Sequence, residues 1–169
     1  MYVDNDPIVL AHARALMAGA GHGETRVLQA DLREPQRILT DPDVRGLLDF
    51  QRPVALLLVG ILHFIPDSDR PYQVVAEFLD ALAPGSCLVL SHGTGDFIDP
   101  QAGQRAVDAY AKSSAPVTGR SYAEVLRFFD GLELLPPGIV TAPFWRPDAP
   151  ATAEDARLPI YAAVGRKRR

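Results

Sequence analysis

The chain has 169 residues, enough to bury one core, and reads as one domain. Its hydrophobic content of 47% and charged content of 22% are those of an ordinary globular protein and exclude a disordered or collagen-like class. A net charge of −4 and a pI of about 5.5 argue against the basic footprint of a nucleic-acid binder. No apolar run approaches the roughly 20 residues of a membrane span, and the lone Cys87 leaves no disulfide framework and points to a reducing cytoplasm.

From the amino end, Tyr2-Val3-Asp4 reads as the last residues of a strand. Asp6 then caps a helix that has Pro7 at its first position, where a missing N–H costs nothing. Val9, Ala13, Leu16 and Met17 give that helix its apolar face, and Gly19 to Gly21 stops it. A second strand runs from Arg26 to Ala30 and ends at Asp31-Leu32, and a short helix spans Asp43 to Leu48. The stretch from Pro53 to Asp67, PVALLLVGILHFIPD, is the organising element. Its unbroken apolar run, bounded by Pro53 and by Pro66-Asp67, predicts a strand buried on both faces. Gly60, Ile61 and His63 then stand at or just past its carboxyl end, where open α/β sheets bind ligands.

Asp69-Arg70-Pro71 opens the next helix, with Val74, Phe78 and Leu82 on one face, Val75 and Leu79 beside them, and Pro84-Gly85 as its stop. Ser86 to Ser91 is a further buried strand, Thr94 to Pro100 a loop, and Gln104 to Lys112 a helix. Ser121 and Glu124 have capping-box spacing and open a helix that ends at Gly131. Leu132 to Val140 and Leu158 to Val164 read as two strands with no helix between them, an antiparallel pair at the far edge. Pro143 to Asp155 is an exposed excursion, and Arg166 to Arg169 a solvated tail. The alternation of strand and helix through the first ninety or so residues predicts a mostly parallel α/β sheet with an antiparallel edge.

Two roles are open to Asp4. A carboxylate at a strand end can accept the hydroxyls of a ribose, or it can cap the following helix together with Asn5 and Asp6. Asp31 repeats the pattern, where it could accept the exocyclic amine of an adenine. His63 is either a general base or a ring packed under the site, and His92, past the next strand, has the same two readings. His12 and His22 flank the first helix as surface residues. No HExxH, calcium-loop or cysteine–histidine spacing suggests a metal, and no GxSxG elbow suggests a serine hydrolase.

The blocks YVDNDPIVLAHARAL, QADLREPQRIL, LLDFQRPVALLLVGILHFIPD and LAPGSCLVLSHGT resemble the S-adenosylmethionine-dependent methyltransferases common in actinobacteria. GLELLPPGIVTAPFWRP and YAAVGRK, nearer the end, fit the same family, so the likeness covers nearly all of the chain. It implies a class I, Rossmann-like fold, S-adenosylmethionine as cofactor, and in-line methyl transfer to a small-molecule O, N or C acceptor. By the same resemblance Asp4, with Asn5, would hold the ribose hydroxyls, and Asp31 with Leu32 would contact the adenine. Gly60 and Ile61 would run beside the methionine part, with His63 just behind as the candidate base. The family begins with a strand and a glycine-rich turn ahead of the strand that Tyr2 to Asp4 resembles, and that first strand is central in its sheet. The chain is therefore expected to be a methyltransferase-like domain lacking its first strand–helix unit, with Met1 not the start of the functional protein. The rival expectations are a non-catalytic remnant, a binding or dimerisation module whose sheet edges pair with a second copy, and a nucleotide-binding α/β protein of another kind.

Overall fold

The computed structural model describes residues 1–17, 23–97, 117–152 and 154–168. β1 (Tyr2–Asp4) leads into α1 (Pro7–Met17), and β2 (Val27–Gln29) pairs with β1 in parallel, Val3 opposite Leu28, to form a two-stranded sheet. α2 (Pro35–Thr40) and α3 (Pro42–Leu47) follow as two short helices, each with proline in its first turn, where the orphaned N–H is no loss. The Asp41 side chain between them accepts from the backbone N–H of Asp43 and Val44 and caps α3.

A second, five-stranded sheet holds the rest. β3 (Ala55–Val59) pairs in parallel with β4 (Cys87–Gly93), Leu57 opposite Val89. β4 pairs antiparallel with β7 (Ile160–Lys167), and β5 (Leu132–Leu134) and β6 (Val140–Thr141) both lie antiparallel on β7. α4 (Pro71–Ala81) is the crossover from β3 to β4, and α5 (Tyr122–Leu126) precedes β5. This is a mixed α/β fold with parallel strands and an antiparallel edge, as expected. The helix expected at 104–112 lies outside the described residues.

α4 buries Val74, Val75, Phe78 and Leu79, the face its spacing predicts. Burial of that kind contributes about 1.5–3 kcal/mol per large side chain. One cluster packs Leu58, Leu88 and Leu90 of the sheet against Val75, Leu79, Val125 and Phe128. A second packs Val74 and Phe78 against Ile38, Leu39, Val44 and Ala30, with Leu28 of β2 and Leu56 of β3 both against it. The two sheets therefore share a core on one side although no hydrogen bond pairs β1 with β3. Among the described residues no helix is long and apolar enough to cross a membrane.

Three expectations change. The Pro53 strand is not buried on both faces: Leu58 is buried, but Leu57 and Val59 are 62% and 60% exposed. Among the described residues β3 ends its sheet and pairs only with β4, and helix α4 covers one of its faces. In α1 Leu10 is buried and Val9 stands exposed, while the side chains of Leu16 and Met17 lie outside the described ones. Within the basic end, Arg166 and Lys167 are part of a strand and not of a solvated tail. β7 runs through Lys167, whose Nζ donates to the carbonyls of Leu79 and Leu82 at 2.7 and 2.8 Å, closing the end of α4. Arg166 pairs with Glu133, its neighbour across β5 and β7, at 2.9 Å.

Candidate functional site

The carboxyl ends of the parallel strands carry the residues the sequence singles out. At the end of β1, Asp4 Oδ1 accepts the backbone N–H of Asp6 at 2.8 Å, and Asp6 Oδ1 accepts that of Ile8 at 2.7 Å. Asp6 is thus the helix cap, and Asp4 closes the turn with one oxygen. Its Oδ2 has no hydrogen-bond partner among the described residues. Asn5 is exposed beside it, its carbonyl accepting from Gln29 Nε2 at 3.4 Å.

At the end of β2 the Asp31 carboxylate is held by Arg33, whose terminal nitrogen lies 2.6 Å from Oδ2 and whose backbone N–H donates to Oδ1 at 2.9 Å. The Arg33 side chain, then desolvation working against it, sets the balance that keeps Asp31 below the usual carboxylate range. The same guanidinium reaches Asp69 at 3.0 Å, which ties the end of β2 to the segment that follows β3. Leu32 is half-buried and packs against both core clusters.

Gly60 ends β3 with φ of 68°, a left-handed conformation that glycine adopts without strain. Its N–H donates to Ser91 Oγ at 2.9 Å and to Ser91 O at 3.3 Å, so β4 fixes the turn. A Cβ built on Gly60 would meet nothing within 4 Å, so open space lies over the strand end. Ile61 is partly exposed next to it, and Leu62 starts a single 3-10 turn that carries His63. The Arg33–Asp69 pair and the packing of Leu32 against the cluster that holds Leu62 thus link the end of β2, with Asp31, to the segment after β3 where Gly60, Ile61 and His63 stand. Asp4 and Asn5 join them only through the β1–β2 pairing, with no described hydrogen bond to the end of β3. A hollow of about 370 Å³ lined by Arg45 to Gln51 lies near the amino end of β3, the wrong end of the sheet for a ligand.

The group that sequence reasoning missed is Arg120, which is 1% exposed. One terminal nitrogen donates to Leu62 O at 3.1 Å and to His92 Nε2 at 2.8 Å. The other donates to Ile65 O at 3.0 Å and to Asp67 Oδ1 at 2.5 Å. Its Nε finds no acceptor among the described residues, and the guanidinium stands 5.7 and 5.6 Å from the centres of the Tyr72 and Phe128 rings. His92 is fully buried, with Nδ1 2.7 Å from Gly93 O. Both its nitrogens are therefore engaged, and burial, with Arg120 beside it, pushes its pKa down to about 4. That removes His92 as a base. His63 is half-buried, its pKa lowered by desolvation and then by Arg120, so the ring is neutral at pH 7. Only the capping-box serine next in sequence marks the neighbourhood of Arg120; nothing local announces an arginine whose partners lie 28 to 58 residues away.

Comparison with known proteins gives the family. The model for the family described as S-adenosyl methyltransferase matches residues 1–168. The crystal structure of a DUF574 family protein from Streptomyces avermitilis MA-4680 is similar at 42% identity and a TM-score of 0.90, over 98% of this chain and 64% of that one. A candidate methyltransferase from Thermobifida fusca YX is similar at 37% identity and a TM-score of 0.87, over 99% of this chain and 62% of that one. The chain thus spans less than two thirds of the length of either relative. The N-methyltransferase NodS of Bradyrhizobium japonicum WM9, solved with S-adenosyl-L-homocysteine, shares the fold at 12% identity and a TM-score of 0.56. No curated protein matches. With a family model matched over nearly its whole length and two relatives above one-third identity, the chain belongs to the S-adenosyl methyltransferase family.

Proposed function

We propose that residues 1–169 form one methyltransferase-like domain that uses S-adenosylmethionine to methylate a small-molecule acceptor. The observation that carries this reading is the family match over residues 1–168; Asp4, Asp31 and Gly60, which stand at the carboxyl ends of β1, β2 and β3, support it. The residues fit the cofactor. Asp4 keeps one carboxylate oxygen without a described partner for the ribose hydroxyls, with Asn5 exposed beside it. Asp31 and Leu32 would face the adenine, and the open space over Gly60, with Ile61 beside it, would take the methionine part. The bound cofactor supplies an electrophilic methyl on a sulfonium. The work left to this chain is to hold two reactants in line and exclude water, with His63 the imidazole in the turn that follows the strand end.

Calorimetry on the chain with S-adenosylmethionine tests the reading. A charged hydrogen bond contributes roughly 1.5–3 kcal/mol, so Asp4→Ala should weaken binding about tenfold or more. Equal affinity in the two proteins would sink the ribose assignment. A second reading, a non-catalytic module that pairs through its sheet edges, is favoured by one observation: the exposure of Leu57 and Val59 on β3 and of Tyr2 and Val3 on β1. It expects no cofactor binding and a homodimer.

A further inference from the structure

The hydrogen bonds around Arg120 fix more than a loop. Arginine has five donors, no acceptor, and does not lose its proton in proteins. A bond of 2.8 Å between its terminal nitrogen and His92 Nε2 therefore requires a lone pair on that nitrogen. The proton of the neutral His92 ring must be on Nδ1, where it is donated to Gly93 O at 2.7 Å. The same carbonyl accepts the backbone N–H of Arg120 at 3.1 Å, so Gly93 is pinned from two sides. Gly93 N–H is then directed at His63 Nδ1, 3.4 Å away. A backbone N–H only donates, so His63 Nδ1 also holds a lone pair. Burial and the Arg120 charge keep that ring neutral, and its proton is accordingly on Nε2. The backbone of this segment is held too: His63 O accepts Thr118 N–H at 2.7 Å, and Leu62 O accepts from Arg120. Among the described residues nothing hydrogen-bonds Nε2.

We propose that His63 meets the ligand as a hydrogen-bond donor through Nε2–H, and that Arg120 is the positioning residue that sets it in that form. A general base would need the opposite tautomer, with the lone pair on the nitrogen that no described residue occupies. The group His63 recognises is then an oxygen acceptor, a carboxylate or carbonyl, and the proton of the methyl acceptor leaves by another route. Only the identity of that ligand rests on the methyltransferase reading; the tautomer does not.

Long-range proton–nitrogen correlation spectra of the nitrogen-15-labelled chain at neutral pH decide it without any ligand. The expected result is an unprotonated Nδ1 and a protonated Nε2 for His63, and the reverse for His92. A protonated Nδ1 on His63 overturns the proposal. Arg120→Lys keeps the charge and loses the two-pronged donor, so His63 should shift to a mixture of both tautomers, a change that mere loss of stability would not produce. An unchanged His63 tautomer in a folded Arg120→Lys protein overturns the role given to Arg120. If that variant does not fold, Asp67→Asn loosens the same guanidinium from a carboxylate whose side chain is 68% exposed; the His63 signals should move in the same direction, and their invariance overturns the role. Adding S-adenosylmethionine separates the sources of the oxygen: a displaced Nε2 signal assigns it to the cofactor carboxylate, and an unmoved signal with the cofactor bound assigns it to the methyl acceptor. Absence of cofactor binding beside the stated tautomers would count against the methyltransferase reading alone.

Discussion

His92 shows how a residue's burial becomes a pH dependence. Its ordinary pKa of 6.5 falls to about 4 in the fold, first because burial penalises the imidazolium and then because Arg120 repels it. The unfolded chain binds the proton more readily, so the stabilisation is complete above pH 6.5 and is lost as the pH falls toward about 4. At about pH 5 that amounts to roughly 2 kcal/mol. His92→Gln can still donate to Gly93 O and accept from Arg120 without titrating. Urea denaturation at about pH 7 and about pH 5 should therefore show wild-type losing roughly 2 kcal/mol more than His92→Gln between the two. Equal losses would mean that His92 does not titrate as its burial requires. Arg120 belongs to the same scale: breaking a buried, charge-assisted network by deleting one member costs more than the net value of its bonds, because the carbonyls of Leu62 and Ile65 lose their partner.

At the scale of elements, what the sequence makes legible is what local spacing controls. Ser121 and Glu124 form the reciprocal cap expected, with the Glu124 carboxylate accepting from Ser121 N–H at 2.8 Å. Pro71 and the apolar stripe of α4 likewise announce a helix and its buried face. α2 escapes notice because Glu34, its N-cap, makes no side-chain cap bond; Pro35 at its first turn is the one signal present. Lys167 escapes because its partners, the last carbonyls of α4, stand over eighty residues earlier in the chain. Two variants probe these element junctions. Lys167→Met keeps the stem and removes the ammonium that closes α4, which should cost about 1–2 kcal/mol in denaturant midpoint analysis. Gly165→Ala would bring a Cβ to 2.7 Å from the Phe129 ring and 3.0 Å from Leu132, so that the Phe129 side chain must shift. Overpacking of this sort costs about 1–3 kcal/mol. An alanine variant as stable as wild-type would show that β5 and the Phe129 turn yield more easily than their packing indicates.

The whole molecule is two parallel strand pairs that share one core yet do not pair with each other. β1–β2 and β3–β4 stand in separate sheets, while Leu28 and Leu56 lie against the same buried cluster. Among the described residues that leaves β3 with an unpaired edge and an exposed face bearing Leu57 at 62% and Val59 at 60%. β1 leaves Tyr2 at 52%, and α1 leaves Ile8 at 67%. Soluble proteins blunt edges of this kind with lysine, proline or a bulge; Ala55-Leu56-Leu57-Leu58-Val59 carries no charge and no proline. The residues proposed for the cofactor straddle this division, Asp4 and Asn5 by one sheet and Gly60 and Ile61 by the other, so anything that covers the β3 edge bears on the proposed site as well. Residues 1–169 alone should therefore associate in a concentration-dependent way through β3. Leu57→Lys with Val59→Lys places charge on side chains that are already solvated, so the fold should persist while association weakens. Sedimentation velocity across roughly 5–200 μM, the range where exposed strand edges aggregate, reads both effects. A wild-type chain that stays monomeric over that range, or a double variant that associates as strongly, would show that the β3 edge is not the adhesive surface its composition makes it.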